Sequence, residues 1–228
     1  MKTVICIGDS ITEGVGSSCA EKFSYCADLQ DLLGCNYRVI NCGRNGATLM
    51  DPPNGNPDRF RTLPHFERAK KVAQLCHSER TPLIVSVMLG TNDADIIDYG
   101  FEGRGEAYYS RYSDAFKKEM LSLVEELRLI CPDARFIICK SPYSYDTQKH
   151  TDYGNLDMVW RLQEQTAAIL KEKNIPIYLN DVAAATSPDR IGGESGVEKL
   201  FFDRLHPNDV GHMYLAHFFC EAVHELEE

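Results

Sequence analysis

The sequence lacks the features that mark most metal-binding, membrane-spanning and nucleic-acid-binding proteins. It has no Cys-x-x-Cys and no His-Glu-x-x-His, the commonest zinc patterns, so no metal or other cofactor is expected. No apolar run is long enough to span a bilayer, so we expect no membrane insertion. Lysine and arginine total 24 against 34 acidic residues, for a net charge of -10 at pH 7. That balance argues against a nucleic-acid or anionic-membrane partner, because both attract positive charge.

We also expect no secretory signal. The first apolar run, Thr3–Ile7, is too short for a signal-peptide core, and cleavage near it would remove Ser10, which is discussed below. The cysteine count of nine is odd, and without a signal it indicates reduced thiols in a cytoplasmic protein. We interpret Cys6, Cys42 and Cys139, which lie in apolar runs, as small core side chains.

The length and composition favour one well-packed domain. A chain of 228 residues is long enough for a single α/β domain with a buried core and too short for two comfortable ones. Its 43% hydrophobic and 25% charged residues are ordinary for a globular protein. No internal repeat or low-complexity linker divides the chain, so residues 1–228 are expected to form one domain.

Apolar, β-branched runs alternate with helical patterns along the chain. This alternation indicates right-handed β-α-β units, and hence a five-stranded parallel sheet between two helix layers, a three-layer α/β/α fold. The predicted strands are Thr3–Ile7, Tyr37–Cys42, Leu83–Leu89, Arg135–Lys140 and Ile175–Asn180. The predicted helices are Ser24–Leu33, Phe66–Cys76, Ala107–Ile130, a segment over Met158–Leu170 and another over Val210–Ala222.

Two glycine-containing segments are predicted to be long loops. One is Asp51–Arg61, which is also rich in proline and asparagine, and the other is Ala183–Lys199. Long loops in compact domains are often functional, and a surface insertion is the alternative explanation.

Ser10 is the candidate nucleophile. It follows the first predicted strand in the run Gly8-Asp9-Ser10, at the sheet edge where open α/β sheets bind their ligands. Gly8 permits a tight turn, and the N–H groups of a following helix would face developing negative charge. A helix N-cap is the structural alternative. A phosphoacceptor site at Asp9 is less well supported, because no acidic cluster accompanies it, and the Gly-x-Ser-x-Gly elbow of α/β-hydrolases is absent here.

Two later loops supply candidate donors for an oxyanion. Gly46 closes the run Asn41–Gly46, and its backbone N–H could approach a substrate oxygen closely, although a simple turn is the alternative. Asn92, in Gly90–Asp93, offers a neutral amide donor, although asparagine in loops often bonds its own backbone. Both loops follow predicted parallel strands, so we expect them at the same sheet edge as Ser10.

His206 is the candidate general base, and Asp203 is the carboxylate that would orient it. Pro207 favours extended geometry at His206, and a carboxylate three positions earlier can reach one ring nitrogen while the other faces Ser10. A solvated histidine in a helix-entry turn is the alternative. The remaining histidines lack this context and are assigned no catalytic role: His65, His77, His150, His212, His217 and His224.

Together these motifs resemble those of the SGNH, or GDSL-type, hydrolase family, over most of the chain. The resemblance implies a flavodoxin-like fold and ester hydrolysis without a metal or other cofactor. Ile11 replaces the leucine of the family name, and Gly43 is a second glycine in the second motif. By motif match, the family assigns Ser10 as nucleophile, His206 as general base and acid, Asp203 as orienter, and the backbone N–H groups of Ser10 and Gly46 with the side chain of Asn92 as the oxyanion hole.

The resemblance is less informative about the substrate. The run Gly8–Gly14 is similar to bacterial members that remove acetyl groups from carbohydrates, so a small-molecule acetyl ester is expected. The fold also hosts lysophospholipases and thioesterases, but no strongly apolar or amphipathic membrane-binding stretch favours them. A carbohydrate-binding protein without activity is a further alternative, against which the intact catalytic set argues. Arg44, Tyr143 and Tyr145 follow predicted strands and could line a sugar-sized pocket.

Overall fold

The computed structural model describes residues 1–51, 58–94, 105–145 and 153–227, with the backbone alone at 105–109 and 153–155. All five strand predictions are confirmed, and their ends agree with the predicted ones to within two residues. The strands are β1 (Lys2–Gly8), β2 (Tyr37–Gly43), β3 (Leu83–Met88), β4 (Arg135–Cys139) and β5 (Ile177–Asn180).

Helices lie between the strands, and all five predicted helices are confirmed. In the list that ends this paragraph they are α3, α4, α5, α6 and α10. A helical turn over residues 91–94 follows β3, and 3₁₀ turns cover Gly34–Asn36 and Phe60–Thr62. Within the described ranges, no helix is long and apolar enough to cross a membrane. The helices are α1 (Ser10–Glu13), α2 (Ala20–Phe23), α3 (Tyr25–Leu33), α4 (Pro64–Glu79), α5 (Gly105–Ile130), α6 (Tyr153–Glu172), α7 (Val182–Ala185), α8 (Pro188–Ile191), α9 (Glu194–Leu200) and α10 (Asp209–Glu225).

The prediction of a long loop over Ala183–Lys199 is wrong. Three short helices, α7, α8 and α9, occupy this segment. The side chain of Asp181 caps α7, and Pro188 begins α8, where its missing N–H and fixed φ suit a first helical position. Gly192 and Gly193 adopt φ values of 87° and 64° between α8 and α9. The glycines therefore mark a helix end rather than an open loop.

The second predicted loop, Asp51–Arg61, is only partly described. Residues 52–57 lie outside the described ranges. On either side of them, Thr48 and Arg59 form an isolated parallel bridge, and the 3₁₀ turn at Phe60–Thr62 leads into α4. This bridge holds the chain beyond β2 close to the sheet edge.

The sheet is parallel throughout, with strand order β2-β1-β3-β4-β5. In the centre, Ile5 of β1 pairs with Ile40 of β2 on one side and Val85 of β3 on the other. The strand order reverses direction at β1, so a crevice forms outside the carboxyl ends of β1 and β3. The five-stranded parallel sheet is confirmed.

Alternate residues of β1 enter the two halves of the core. Ile5 and Ile7 pack in the cluster that includes α4, α5 and α6, whereas Val4 and Cys6 pack with α3 and α10. The period of two follows from strand geometry, and all four side chains are buried. This arrangement is the predicted three-layer α/β/α fold, and it leaves the carboxyl edge of the sheet to the loops.

Candidate active site

Each residue of the predicted site lies at the carboxyl-terminal edge of the sheet or next to it. Ser10 directly follows β1, Gly46 lies beyond β2, and Asn92 lies beyond β3. Asp203 and His206 come from a turn that precedes α10, and His206 reaches Ser10. The fold thus brings together residues from both ends of the sequence, as the parallel topology predicts.

Ser10 is the first residue of α1, but it does not cap that helix. Asp9 is the N-cap, and its Oδ1 accepts a hydrogen bond from the Ile11 N–H at 3.0 Å. The N-cap role, which was the alternative explanation for Ser10, therefore belongs to Asp9. A Cβ at Gly8 would overlap the side chain of Thr12, so a glycine is needed for β1 to turn this closely into α1.

A histidine and an aspartate complete a chain of hydrogen bonds to Ser10. His206 Nε2 lies 2.9 Å from Ser10 Oγ, and His206 Nδ1 lies 2.7 Å from Asp203 Oδ2. The other oxygen, Asp203 Oδ1, accepts the backbone N–H groups of Leu205 at 3.1 Å and His206 at 2.7 Å. One carboxylate therefore holds both the backbone and the ring of His206.

The surroundings of Asp203 keep this carboxylate ionised. Partial burial acts to raise its pKa, but hydrogen bonds from the backbone and ring of His206, together with the charge of that ring, bring the pKa below its usual range. An ionised Asp203 favours the tautomer of His206 that carries hydrogen on Nδ1. Nε2 is then free to accept the proton of Ser10 Oγ.

Contacts with neighbouring segments hold the turn that carries Asp203 and His206. An antiparallel bridge joins Phe201 to Pro207 across the turn. Between Asp203 and His206, Arg204 has a φ of 69°, a conformation that is costly for a residue with a side chain. Its guanidinium forms an ion pair with Glu194 of α9, the helix found where a loop was predicted.

The loops that carry Gly46 and Asn92 are joined directly. Asn92 Nδ2 donates a hydrogen bond to the carbonyl oxygen of Ala47 at 3.0 Å, and Ala47 is the residue after Gly46. The asparagine therefore bonds a neighbouring loop, not its own segment. An amide nitrogen carries two hydrogens, so one remains for a substrate oxygen.

Asp93 is a buried carboxylate to which our sequence analysis assigned no role. Its Oδ2 accepts the N–H of Leu49 and its Oδ1 accepts the N–H of Met50, both at 2.9 Å. Burial raises its pKa to about 7, and the charge of Asp9 adds to that effect, whereas the two hydrogen bonds act to lower it. Asp93 thus fastens the loop beyond Gly46 to the end of β3. In the sequence, the one feature that could have indicated this role is its position directly after Asn92.

Asp9 is a second buried carboxylate, and it directly precedes Ser10. Burial raises its pKa to about 6, against the opposing effects of the Ile11 N–H, the nearby Thr91 hydroxyl and the charge of His206. In the described part of the chain, neither Asp9 Oδ2 nor Thr91 Oγ1 has a hydrogen-bond partner. Ser10 therefore lies next to a carboxyl group whose pKa is raised toward neutrality.

The predicted core cysteines are confirmed as buried. Cys6, Cys42 and Cys139 are inaccessible to solvent. Burial raises the pKa of Cys42 and that of Cys139 to about 12, which keeps both thiols protonated and unreactive near neutral pH. In the part of the chain that the structure describes, no three His, Cys, Asp or Glu side chains group closely enough to hold a metal ion.

Of the three residues suggested as a pocket lining, Tyr145 is a packing residue. It is buried, and its hydroxyl donates to the carbonyl oxygen of Thr186 at 2.6 Å. Tyr143 is half-buried, and its ring lies 4.9 Å from that of Tyr145, between ring centroids. Arg44 is half-buried beyond β2, and its backbone N–H donates to the carbonyl oxygen of Gly8.

This fold and site belong to the class of carboxylic ester hydrolases. Residues 6–214 match the model of the GDSL-like lipase/acylhydrolase family, so the chain is a member of that family. Two proteins named acetylxylan esterase are similar to it. The one from Xylanibacter ruminicola is 28% identical over 96% of this chain, and the chain spans 42% of its length. The one from Geobacillus stearothermophilus is 28% identical over 95% of this chain and 91% of its own.

Solved structures show the same fold at lower identity. The aryl esterase of M. smegmatis superposes with a TM-score of 0.61 at 19% identity, over 99% of this chain and 100% of that one. An active-site mutant of a family two carbohydrate esterase from Clostridium thermocellum superposes with a TM-score of 0.64 at 20% identity, over 98% of this chain and 63% of that one. These similarities concern the fold.

Proposed function

We propose that this protein is a serine esterase that removes acetyl groups from a carbohydrate through an acyl-enzyme intermediate. The observation that carries the proposal is the contact of Ser10 Oγ with His206 Nε2 at 2.9 Å, with Asp203 2.7 Å from the other ring nitrogen. A nucleophile, a base and an orienting carboxylate within hydrogen-bond reach are what acyl transfer to serine requires.

The first step is acylation of Ser10. His206 Nε2 takes the hydroxyl proton as Ser10 Oγ attacks the carbonyl carbon of the ester. The carbonyl electrons move to oxygen, and the Ser10 and Gly46 N–H groups with the Asn92 amide stabilise the resulting oxyanion. The tetrahedral intermediate then expels the alcohol, which receives its proton from His206.

The second step is hydrolysis of the acyl-enzyme. A water molecule gives a proton to His206 Nε2 and attacks the same carbonyl carbon. Collapse of the second tetrahedral intermediate breaks the bond to Ser10 Oγ, which regains its proton from His206 as the carboxylic acid leaves. Asp203 stays ionised throughout and stabilises the imidazolium form of His206 in both steps.

The relatives support two parts of the proposed substrate, the acetyl group and the carbohydrate that carries it. Two proteins named acetylxylan esterase align with nearly the whole of this chain. Both relatives are 28% identical to this chain. Acetylated xylo-oligosaccharides are therefore the first natural-type substrates to try.

The chemistry is tested by hydrolysis of p-nitrophenyl esters with Ser10→Ala beside the wild type. We expect turnover to fall by roughly 10⁴–10⁶-fold, with an unchanged circular dichroism spectrum. Ser78→Ala is the matched control, because Ser78 is an exposed serine near the end of α4. A fall of less than about a hundredfold in Ser10→Ala would contradict the assignment of the nucleophile.

The substrate is tested separately. Rates for p-nitrophenyl acetate and for longer acyl chains are compared, and acetate release from acetylated xylo-oligosaccharides is measured with the same preparations. We expect the acetyl ester to react fastest and the oligosaccharides to lose acetate in a Ser10-dependent way. A preference for long acyl chains would contradict an acetylesterase and indicate a lipolytic or thioester substrate, while leaving the catalytic assignment in place.

A further inference from the structure

His212 lies in the first turns of α10, fully buried, and both of its ring nitrogens meet backbone groups. Nδ1 accepts the N–H of Tyr25 at 3.2 Å, and Nε2 lies 3.2 Å from the carbonyl oxygen of Val15. A backbone N–H can only donate and a carbonyl can only accept. The imidazole is therefore neutral and carries its hydrogen on Nε2.

One of these partners leads directly to the nucleophile. Val15 lies in the loop after α1, and its N–H donates to the carbonyl oxygen of Ser10 at 3.0 Å. The N–H of Gly14 donates to the same oxygen, also at 3.0 Å. Two consecutive hydrogen bonds thus connect His212 to the backbone of Ser10.

The same loop runs along the turn that carries the base. A Cβ at Gly16 would lie 3.0 Å from His206 Cβ and would overlap the carbonyl oxygen of Pro207. Further out, Ser18 donates its N–H and its hydroxyl to the carboxylate of Asp209, both at 2.7 Å. The loop is therefore tied to the start of α10 twice, once in the core by His212 and once at the surface by Asp209.

We infer that His212 is a positioning residue, which through Val15 holds Ser10 Oγ in line with His206 Nε2. This inference rests on the catalytic role proposed above for Ser10 and His206. Its physical basis is that a nucleophile displaced by about 1 Å from its base can lose roughly 10² in rate. Both ties join the loop after α1 to α10, the helix that follows the turn carrying His206. Ser10 and His206 are therefore both held relative to α10.

The surroundings of His212 keep it in the neutral form that this role requires. Burial lowers its pKa to about 4, and the charge of His206 acts in the same direction. The carbonyl oxygen of Val15 and the carboxylate of Asp209 oppose this shift. Near neutral pH the ring can therefore accept from Tyr25 and donate to Val15 at the same time.

Two conservative variants test separately the hydrogen bonds of His212 with Tyr25 and with Val15. In His212→Gln the amide nitrogen can take the place of Nε2 and donate to Val15, whereas in His212→Asn the amide oxygen can take the place of Nδ1 and accept from Tyr25. We expect His212→Gln to keep kcat within about threefold of the wild type. We expect His212→Asn to lose roughly 10–100-fold in kcat with little change in KM, because Ser10 is displaced and not the substrate.

A merely structural role predicts a different pattern. In that case both variants would have lower melting temperatures but would keep wild-type kcat per folded molecule. A second readout is the rate at which a fluorophosphonate modifies Ser10, which depends on activation of its hydroxyl by His206 and not on ester recognition. We expect His212→Asn to slow this reaction by a factor similar to its loss in kcat.

Ser18→Ala is the matched control, because it weakens the surface tie to Asp209 and leaves the buried one intact. We expect its kcat and its modification rate to stay near those of the wild type. Wild-type kcat and modification rate in His212→Asn would overturn the inference. Near wild-type turnover by Ser10→Ala would instead overturn the proposed function, so the two failures are distinguishable.

Discussion

Arg204 and Tyr145 exchange two hydrogen bonds. Arg204 Nε donates to the carbonyl oxygen of Tyr145 at 2.9 Å, and the Tyr145 N–H donates to the carbonyl oxygen of Arg204 at 2.8 Å. Because Arg204 lies between Asp203 and His206, this exchange fastens the catalytic turn to the segment that follows β4. The positive φ of Arg204 costs about 1–2 kcal/mol, which these contacts offset.

Replacing Arg204 should separate backbone strain from side-chain anchoring. We expect Arg204→Gly to be more stable than Arg204→Ala by about 1 kcal/mol, because glycine adopts a φ of 69° without strain. Both should lose about tenfold in kcat, because both keep the backbone bond to Tyr145 but lose the one that Arg204 Nε donates. Urea unfolding and steady-state kinetics measure the two effects.

Glu194→Gln is the control for that pair. It weakens the ion pair with Arg204 but leaves the bond from Arg204 Nε to Tyr145. The side chains of the ion pair are 46% and 61% exposed, so we expect a loss of stability below about 0.5 kcal/mol and near wild-type kcat. Equal stability of the glycine and alanine variants would contradict the strain argument.

Asp93→Asn should loosen the loop beyond Gly46. The amide offers one acceptor where the carboxylate has two, so one of the N–H groups of Leu49 and Met50 is left buried without a partner, at a cost of about 1–3 kcal/mol. We expect kcat to fall by up to roughly 10², with a smaller change in KM, since the oxyanion donors are displaced. Asp51→Asn, at an exposed acid of the same segment, should behave as the wild type in both assays.

Gly16→Ala should push the loop after α1, which contains Val15 and Gly16, away from His206. Its Cβ would meet the catalytic turn, and its φ of 93° is strained for alanine, so we expect lower stability and a loss of roughly 10² in kcat. Gly192→Ala tests the strain alone, because its φ is 87° and a Cβ there meets nothing within 4 Å. A variant at Gly192 that loses as much kcat as the one at Gly16 would show that strain, and not the contact with the turn, is responsible.

The buried acids and His212 make opposite contributions to the pH dependence of stability. The pKa of Asp93 is raised to about 7, so between about pH 4 and pH 7 the folded state binds a proton that the unfolded state releases. Its contribution to the free energy of unfolding therefore falls as pH rises. The pKa of His212 is lowered to about 4, so between about pH 4 and pH 6.5 the unfolded state binds the extra proton, and this contribution rises with pH.

Urea unfolding at about pH 5 and about pH 8 checks both signs. Relative to the wild type, Asp93→Asn should be more destabilising at the lower pH, because it removes a group that favours folding there. His212→Gln should be more destabilising at the higher pH for the converse reason. Parallel pH profiles for the two variants would contradict both assignments.

The parts of the site that could be predicted from sequence are those set by a single strand and its following loop. The apolar run Thr3–Ile7 predicts β1, and the parallel topology then places Ser10, Gly46 and Asn92 at one sheet edge. The spacing of Asp203 and His206 was informative because three residues of chain suffice for a carboxylate to reach the ring. These predictions need only local geometry and one rule of topology.

The roles that were missed depend on partners distant in sequence. His212 has no distinguishing local pattern, since its partners Tyr25 and Val15 lie 187 and 197 residues away. The contacts of Asp93 with Leu49 and Met50 likewise span two loops. The pair Gly192-Gly193 is typical of a loop, but glycine is also common just beyond a helix end, which is where the structure places it. Periodicity and turn composition do not distinguish these cases.

Ser10 and His206 are 196 residues apart in the sequence, yet their side chains are in contact. At roughly 5–20 residues per second, a ribosome adds His206 about 10 to 40 seconds after Ser10. During about the last third of that interval a nascent chain already contains β1 to β4 but still lacks His206. On the proposed mechanism, acyl transfer therefore has to await synthesis and docking of the segment that carries His206.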